Sequence, residues 1–224
     1  MFDAIAGRYD FLNHLLSAGI DRRWRRRAVE ALSLQGGERV LDLCTGTADL
    51  AIAACTGTPA AGRVVGIDFA GQMLHVGRLK LARERLGASV TLVRGDATCI
   101  PVASQSVDAV TLAFGIRNIE RPAAACLEIH RVLRPEGRVA ILEFAVPTTL
   151  WIRAAYLGYF QHVLPCVGRL VSRHSAAYSY LPASVVGFAS SGEFVEILRQ
   201  SGFTEIRAVP LTLGIVFLYT AEKA

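Results

Sequence analysis

The chain has 224 residues, 52% of them hydrophobic, and a formal net charge of +5 with a sequence isoelectric point near 9.2. This length and apolar content suit a sizeable core, so we expect a single domain over residues 1–224. No apolar run reaches the length of a membrane span, and Met1-Phe2-Asp3 does not open a secretory signal, so we expect a cytoplasmic protein.

Cysteine usage argues against a disulfide framework and against a metal site. The five cysteines form no C-x-x-C pair and show no spacing typical of metal ligands. We therefore expect reduced, buried small residues. The positions are Cys44, Cys55, Cys99, Cys126 and Cys166.

Residues 1–35 are predicted to form an N-terminal helical segment that combines an apolar stripe with a basic flank. The stripe consists of Ile20, Trp24, Ala28, Ala31 and Leu32, and the flank of Arg22, Arg23, Arg25, Arg26 and Arg27. The flank is either a solvated helix face or a surface attracted to anionic lipid headgroups at the inner face of the membrane. No nucleic-acid partner is expected, because no basic stripe with interleaved aromatic residues recurs elsewhere.

Residues 39–68 carry the most informative pattern of the chain. An apolar strand over residues 40–43 contains Asp42, a small-residue turn surrounds Gly46, and a helix opens at Asp49. A second strand, residues 64–67, ends on Asp68. This is the first half of a nucleotide-binding α/β unit, in which an acid about 20 residues past the turn takes the ribose hydroxyls.

The turn itself indicates which ligand is bound. A dinucleotide fold uses G-x-G-x-x-G to approach a pyrophosphate, whereas here Gly46 is the one glycine of the turn. An adenosine without phosphates therefore suits the turn better, and S-adenosylmethionine is such a ligand. Its ribose is expected at Asp68 and its amino-acid end over the turn near Asp42. The alternative is a plain α/β turn with a solvent-facing Asp68.

The middle of the chain alternates helix and strand. Helices are predicted over 72–86 and 123–133, the latter stopped by 135–137, and strands over 90–93, 107–113 and 139–142. This alternation predicts a doubly wound parallel sheet, whose ligands bind outside the carboxyl ends of the strands. The polar residues expected there are Asp42, Asp68, Asp96, Arg117, Asn118 and Glu143.

The last third departs from this alternation. Residues 147–190 are rich in aromatic residues and are predicted as a helical insert, which is either ordinary core or a lid over an apolar substrate. A helix over 193–200 and two strands, 203–209 and 215–219, follow as a terminal antiparallel hairpin. The predicted fold is therefore an α/β class I S-adenosylmethionine-dependent methyltransferase with a Rossmann-like seven-stranded sheet.

The chain resembles a known family, the menaquinone and ubiquinone biosynthesis C-methyltransferases, over nearly its whole length. The matching segments are residues 9–13 with Trp24, 42–50, 114–118 (FGIRN), 131–144, 162–165 and 178–181. The first segment together with FGIRN is the specific part of the resemblance, since the turn alone would be a weak signal.

The resemblance implies methylation of a ring carbon on a reduced, polyprenylated quinol, and the conversion of demethylmenaquinol to menaquinol is the favoured case. Cofactor contacts carry over onto Thr47, Asp68 and the pair Asp96-Ala97, beside the Asp42 and Gly46 of the turn. Residues placed at the ring are Arg117, Asn118 and Tyr9.

A guanidinium hardly deprotonates, so Arg117 is expected to stabilise a phenolate rather than to act as a base. The alternative is an Arg117 at a surface strand end, paired with Glu120 or Glu143. Asn118 would orient the hydroxyl, and Tyr9 would bound the ring. The candidates for a general base are Asp10, His14, His162 and His174.

The sequence does not exclude other function classes. One is another S-adenosylmethionine-dependent small-molecule methyltransferase. An NAD-linked reductase is disfavoured by the missing glycines, and a non-catalytic lipid or RNA module by the turn together with FGIRN. The choice of naphthoquinol or benzoquinol, the tail length, the general base and the oligomeric state are open, a homodimer included.

Overall fold

The computed structural model describes residues 17, 19–159 and 182–224. Apolar runs with turn residues between them produce alternating strands and helices. The helices are α1 (Asp21–Ala31), α2 (Asp49–Thr56), α3 (Gly71–Arg83), α4 (Pro122–Val132), α5 (Leu150–Gly158), α6 (182–187) and α7 (Ser191–Gln200). The strands are β1 (Arg39–Leu43), β2 (Arg63–Asp68), β3 (Val90–Arg94), β4 (Val107–Ala113), β5 (Leu133–Phe144), β6 (Phe203–Leu211) and β7 (Val216–Lys223).

Within these described residues the strands form a seven-stranded sheet in the order β3-β2-β1-β4-β5-β7-β6. The first five strands along the chain pair in parallel, and β7 runs antiparallel to both β5 and β6. The predicted sheet with its terminal hairpin is confirmed. After β3 the chain crosses back over the sheet and forms β4 next to β1. The crevice expected for a ligand therefore lies outside the carboxyl ends of β1 and β4.

Helices cover both faces of the sheet, because residues that alternate along each strand are apolar on both sides. On one face α1, α2 and α3 pack through Ala28, Ala51 and Leu81 onto strand residues such as Val40. On the other face α4 and α7 pack through residues such as Ile129 and Phe194. The two clusters bury both faces of the sheet and leave its carboxyl edge for the site.

Several predicted boundaries differ from the structure: β5 and β7 extend past the predicted 139–142 and 215–219, and two helix ends differ for a local reason. The helix expected over 72–86 ends at Arg83, because Arg85 has a φ of +58°, in the left-handed region that ends helices. The helix expected over 123–133 ends at Val132, and β5 already begins at Leu133, whose backbone is extended. A register shift then accommodates the Pro135 turn, since Leu133 pairs with Val107 but Arg138 pairs with Ala109.

The basic flank of α1 is smaller than the sequence suggests. Arg25 is buried and forms ion pairs with Asp21 and with Asp49 of α2. The remaining four arginines, at positions 22, 23, 26 and 27, are exposed. Ala31, expected in the apolar stripe, is also exposed. Across the described ranges, no helix has the length and apolar content needed to cross a membrane.

Candidate active site

The turn after β1 adopts an unusual backbone conformation. Cys44, Gly46 and Ala48 have φ values of +54°, +56° and +69°. Such values are easy for glycine and costly for other residues, and strain of this kind concentrates at functional sites. Thr45 fixes the turn to β2, because its N–H donates to the Ile67 carbonyl at 3.0 Å.

Asp42 lies beneath this turn, in β1. It is 1% exposed and accepts hydrogen bonds from the hydroxyls of Thr45 (2.5 Å) and Thr111 (2.8 Å). Burial raises the pKa of Asp42 to about 6, although these hydrogen bonds act in the opposite direction. Asp42 therefore supports the turn from below.

Asp68 closes the turn from the side of β2. One carboxylate oxygen accepts the N–H of Gly46 and the other accepts the N–H of Ala70, each at 2.8 Å. The carboxylate is thus held between the turn and the start of α3, at the carboxyl edge of the sheet. This is the position that the sequence predicted for a ribose contact.

Thr47 is fixed by a charged network. It is 3% exposed, and Lys80 of α3 donates to its hydroxyl at 3.2 Å and to Asp49 at 2.5 Å. Asp49 also pairs with Arg25 of α1 at 3.6 Å. Three helices therefore converge on the residues that follow Gly46.

Asp96 and Ala97 follow β3 at the same edge. Asp96 is exposed and accepts the N–H and the hydroxyl of Thr98, at 2.7 and 2.8 Å. These two bonds hold the pKa of Asp96 below its usual value. Ala97 is 9% exposed and packs into the core beside Ile67. Asp96 thus presents an ionised carboxylate two strands away from β1.

The turn lies in a strongly negative environment. Burial raises the pKa of the Cys44 thiol, and the carboxylates of Asp68, Asp42, Glu143 and Asp96 raise it further, in that order. Such a field attracts a sulfonium cation and opposes a pyrophosphate. The carboxylates around this turn therefore suit the cationic sulfonium of S-adenosylmethionine better than a pyrophosphate.

The FGIRN loop after β4 lies directly against this turn. A Cβ built on Gly115 would lie 2.4 Å from Cys44 Cβ, so glycine is required there by close approach. Phe114, the residue before it, stacks on Phe144 with centroids 4.4 Å apart. Trp24 of α1 packs its ring edgewise at 6.0 Å from Phe114. The loop is thus fixed between the turn and α1.

Arg117 pairs with Glu143, as the alternative interpretation had it, but the pair is buried rather than on the surface. Its Nη1 donates to Glu143 at 2.5 Å and to the Phe114 carbonyl at 2.7 Å, and its Nε donates to Ser184 at 3.3 Å. The side chains of Arg117 and Glu143 are 6% and 1% exposed. Nη2 makes no hydrogen bond to any residue that the structure describes. Asn118, the next residue, donates from its amide to the Phe114 carbonyl at 3.3 Å.

Three features of this edge were not predicted from the sequence. Tyr156 of α5 is 7% exposed, and its pKa is raised by burial, lowered by Arg117 and raised by Glu143, so it lies within electrostatic range of this pair. Ser184 of α6 reaches Arg117. Phe69, directly after Asp68, is 70% exposed and has the guanidinium of Arg94 5.5 Å from its ring centroid. In the sequence, Phe69 could have been identified as an aromatic residue that directly follows the acid expected to bind the ribose.

The structure brings most of the predicted site residues to one edge of the sheet. The predicted residues that lie there, around the β1 turn and the FGIRN loop, are Asp42, Gly46, Thr47, Asp68, Asp96, Ala97, Arg117 and Asn118. Tyr9 and the base candidates Asp10, His14, His162 and His174 lie outside the described residues. Their predicted roles stay predictions.

This sheet and this site define a class I S-adenosylmethionine-dependent methyltransferase. A solved structure described as a SAM-dependent methyltransferase from Aquifex aeolicus has the same fold, with a TM-score of 0.64 and 18% sequence identity. The match covers 89% of each chain.

Sequence comparison is more specific. The model of the ubiE/COQ5 methyltransferase family matches residues 1–223, and the chain belongs to this family. It is 45% identical to the ubiquinone/menaquinone biosynthesis C-methyltransferase UbiE of Geotalea uraniireducens over 223 residues, 100% of this chain and 94% of the relative. It is 39% identical to the demethylmenaquinone methyltransferase of Bacteroides fragilis, covering 100% of this chain and 91% of that protein. The predicted family is confirmed.

Proposed function

We propose that the protein transfers a methyl group from S-adenosylmethionine to a ring carbon of a reduced, polyprenylated quinone precursor, with demethylmenaquinol as substrate and menaquinol as product. The observation that carries this proposal is the contact between the FGIRN loop and the turn after β1 (residues 44–48), which we call the cofactor turn. Because Gly115 allows the loop to touch Cys44, the loop that carries Arg117 lies against the turn expected to bind the cofactor.

When bound, S-adenosylmethionine supplies an already activated methyl group, so the protein's task is alignment and the supply of a nucleophile. The ring carbon becomes nucleophilic when the neighbouring hydroxyl loses its proton, and a phenol titrates near 10, like tyrosine. Arg117 is the cation available to stabilise the phenolate. Three contacts hold its Nη1 and Nε, which leaves the two Nη2 protons as the donors for a substrate oxygen. Asn118 orients the hydroxyl beside it.

Product analysis tests the substrate. The purified protein is incubated with S-adenosylmethionine labelled in its methyl group and with reduced demethylmenaquinone or a reduced benzoquinone precursor, and the products are identified by mass spectrometry. Labelled menaquinol is the expected product. Label on the benzoquinone precursor alone would contradict the proposed substrate, and label on neither quinol would contradict the proposed reaction.

Single-turnover rates test Arg117. Removing one preorganised electrostatic contact costs about 10²–10³ in rate, so Arg117→Ala should lose that much while S-adenosylmethionine still binds. Arg117→Lys should recover part of the rate, because the charge returns without the fork geometry. Wild-type rates in both variants would reduce Arg117 to a structural strand-end residue.

We propose that residues 147–190 act as a lid over the prenyl tail. Two described parts of this segment approach the site, since Tyr156 of α5 is within electrostatic range of Arg117, and Ser184 of α6 accepts a hydrogen bond from Arg117. Hydrogen exchange across 147–190 should slow when cofactor and a quinol analogue are added together. Unchanged exchange under these conditions would contradict a lid.

We propose peripheral contact with an anionic membrane, since the substrate's tail is membrane-soluble. Leu150 and Trp151 at the start of α5 are 81% and 70% exposed, and Leu213 is 66% exposed. The turn that carries Leu213 packs against α1, because Trp24 donates to Thr212 at 2.8 Å. The exposed arginines of α1 add basic charge to the helix that contacts this turn, and a nearby basic residue contributes about 1 kcal/mol of attraction to anionic lipid.

The two tryptophans of the chain make this contact measurable. In Trp24→Phe, Trp151 is the one remaining tryptophan, so its emission should shift to shorter wavelength when vesicles containing phosphatidylglycerol are added. Vesicles of phosphatidylcholine alone serve as the control. Equal responses to both vesicles, or a response to neither, would contradict an anionic docking surface.

A further inference from the structure

The carboxylate of Glu143 is a buried charge at the end of β5. It is 1% exposed, and it accepts the Nη1 of Arg117 at 2.5 Å, the backbone N–H of Arg117 at 3.2 Å and the N–H of Phe144 at 2.7 Å. One carboxylate therefore holds both the main chain and the side chain of Arg117. The aromatic ring of Phe144 lies below, with the guanidinium carbon 5.3 Å from its centroid.

Stability alone does not account for such a pair. Two charges that leave water incur a desolvation penalty, and apolar residues of similar volume stabilise an interior equally well or better. The pair lies at the carboxyl edge of the sheet, where Glu143 raises the pKa values of Cys44 in the turn after β1 and of Tyr156 in α5.

The bonds of Arg117 are distributed in a way that orients it. Nη1 donates to Glu143 and to the Phe114 carbonyl, and Nε donates to Ser184. These bonds fix the plane of the guanidinium group, so that Nη2 points away from all three acceptors. Of these partners, Glu143 is the charged one and the most deeply buried, so it contributes the strongest of the three restraints.

We propose that Glu143 is a positioning residue for methyl transfer, which acts by holding Arg117 so that its Nη2 donors meet the reacting oxygen. This inference rests on the proposed function of Arg117. A displacement of about 1 Å in a catalytic group can cost on the order of 100-fold in rate. The rate of methyl transfer should therefore depend on Glu143 even though Glu143 does not touch the substrate.

A double-mutant cycle tests this role, using Glu143→Gln, Arg117→Ala and the combination of both. Glu143→Gln keeps the size of the side chain but loses its charge and places an amide opposite one of the N–H donors. Its kcat should fall roughly 10- to 100-fold, with the S-adenosylmethionine dissociation constant within about threefold of wild type. In the Arg117→Ala background the same change should have no further effect on kcat, because the residue through which Glu143 acts is gone.

Thermal unfolding provides a second readout. Arg117→Ala leaves an uncompensated buried carboxylate and should lower the Tm, whereas adding Glu143→Gln should restore the Tm without restoring kcat. Glu143→Asp, which keeps the charge but withdraws it by one methylene, should also lower kcat. Asp108→Asn is the matched control, since Asp108 pairs with Arg134 at 2.6 Å at the opposite end of the strands, and its kcat should equal that of wild type.

The outcomes separate the two proposals. If wild-type protein methylates neither quinol, the proposed function is wrong. If wild-type protein is active and Glu143→Gln has wild-type kcat, the role of Glu143 is overturned. The same follows if Glu143→Gln lowers kcat equally in the presence and absence of Arg117, because Glu143 would then act independently.

Discussion

Replacing Asp68 by alanine should weaken the binding of S-adenosylmethionine while the sheet stays folded. Asp68 ends β2 and accepts the N–H groups of Gly46 and Ala70, both at 2.8 Å. The change removes the proposed ribose acceptor and also the link between the turn and the start of α3. Both N–H groups lie at the open carboxyl edge, where water can replace the carboxylate.

The magnitude follows from the type of bond. A hydrogen bond to a charged group contributes about 1.5–3 kcal/mol, and each 1.4 kcal/mol corresponds to about a factor of ten in the dissociation constant. Asp68→Ala should therefore weaken binding roughly 10- to 100-fold. Asp68→Asn keeps one acceptor oxygen but turns an amide towards one of the two N–H donors. Its loss of affinity for S-adenosylmethionine should therefore lie near the lower end of this roughly 10- to 100-fold range.

Calorimetric titration with S-adenosylmethionine and with S-adenosylhomocysteine measures this effect. Both ligands contain the ribose, so both should lose affinity to a similar degree, and a loss confined to the sulfonium ligand would instead indicate action through charge alone. Asp108→Asn is the control, because Asp108 accepts the Arg39 N–H at 2.8 Å at the opposite end of the strands. Wild-type affinity of Asp68→Ala for both ligands would refute the assignment.

The remaining predictions concern the turn and its supports. The pKa of Asp42 is raised to about 6 from 3.8, so its stabilising effect is fully present below pH 3.8 and is lost as the pH rises through 6. Relative to Asp42→Asn, the unfolding free energy of wild type should fall by about 1–1.5 kcal/mol between pH 5 and 7.5 in urea titrations; no relative change would contradict this. Gly115→Ala should weaken cofactor binding, because the new Cβ would lie 2.4 Å from the Cβ of Cys44. Adding Cys44→Gly removes that Cβ and should restore binding. A double variant that binds as weakly as Gly115→Ala would show that this contact is not the cause. Trp24→Ala should lower the unfolding free energy by about 3–5 kcal/mol because Trp24 is 6% exposed, whereas the exposed Trp151→Ala should change it by less than about 0.5 kcal/mol, and equal effects would refute this.

Local patterns were enough to predict most elements of the sheet. The range expected for β4 agrees with Val107–Ala113, because a buried strand appears in sequence as a short apolar run between turn residues. The two helix ends that were predicted wrongly depend on single backbone conformations. Arg85 ends α3 with a left-handed φ that no apolar pattern reports, and Pro135 forces an extended backbone before it.

The candidate site was predictable where its residues are close in sequence. The turn at Gly46 and the acid at position 68 belong to one strand-turn-helix-strand unit, so their spacing alone indicates their meeting. Phe69 was missed because exposure is a property of the folded surface. The proposed role of Tyr9 lies outside the described residues and stays a prediction.

The sequence by itself therefore determined the fold class, the phosphate-free cofactor turn and the family. The tertiary structure decided which charges meet. Arg117 had two candidate partners in sequence, and Glu143 is the one that reaches it, because β4 and β5 are neighbours in the sheet and end at the same edge. Arg25 similarly is not part of the exposed basic flank of α1, because Asp49 of α2 lies beside it and pairs with it. Periodicity reports which face of an element is apolar, whereas a pairing between distant residues depends on the order in which the strands assemble.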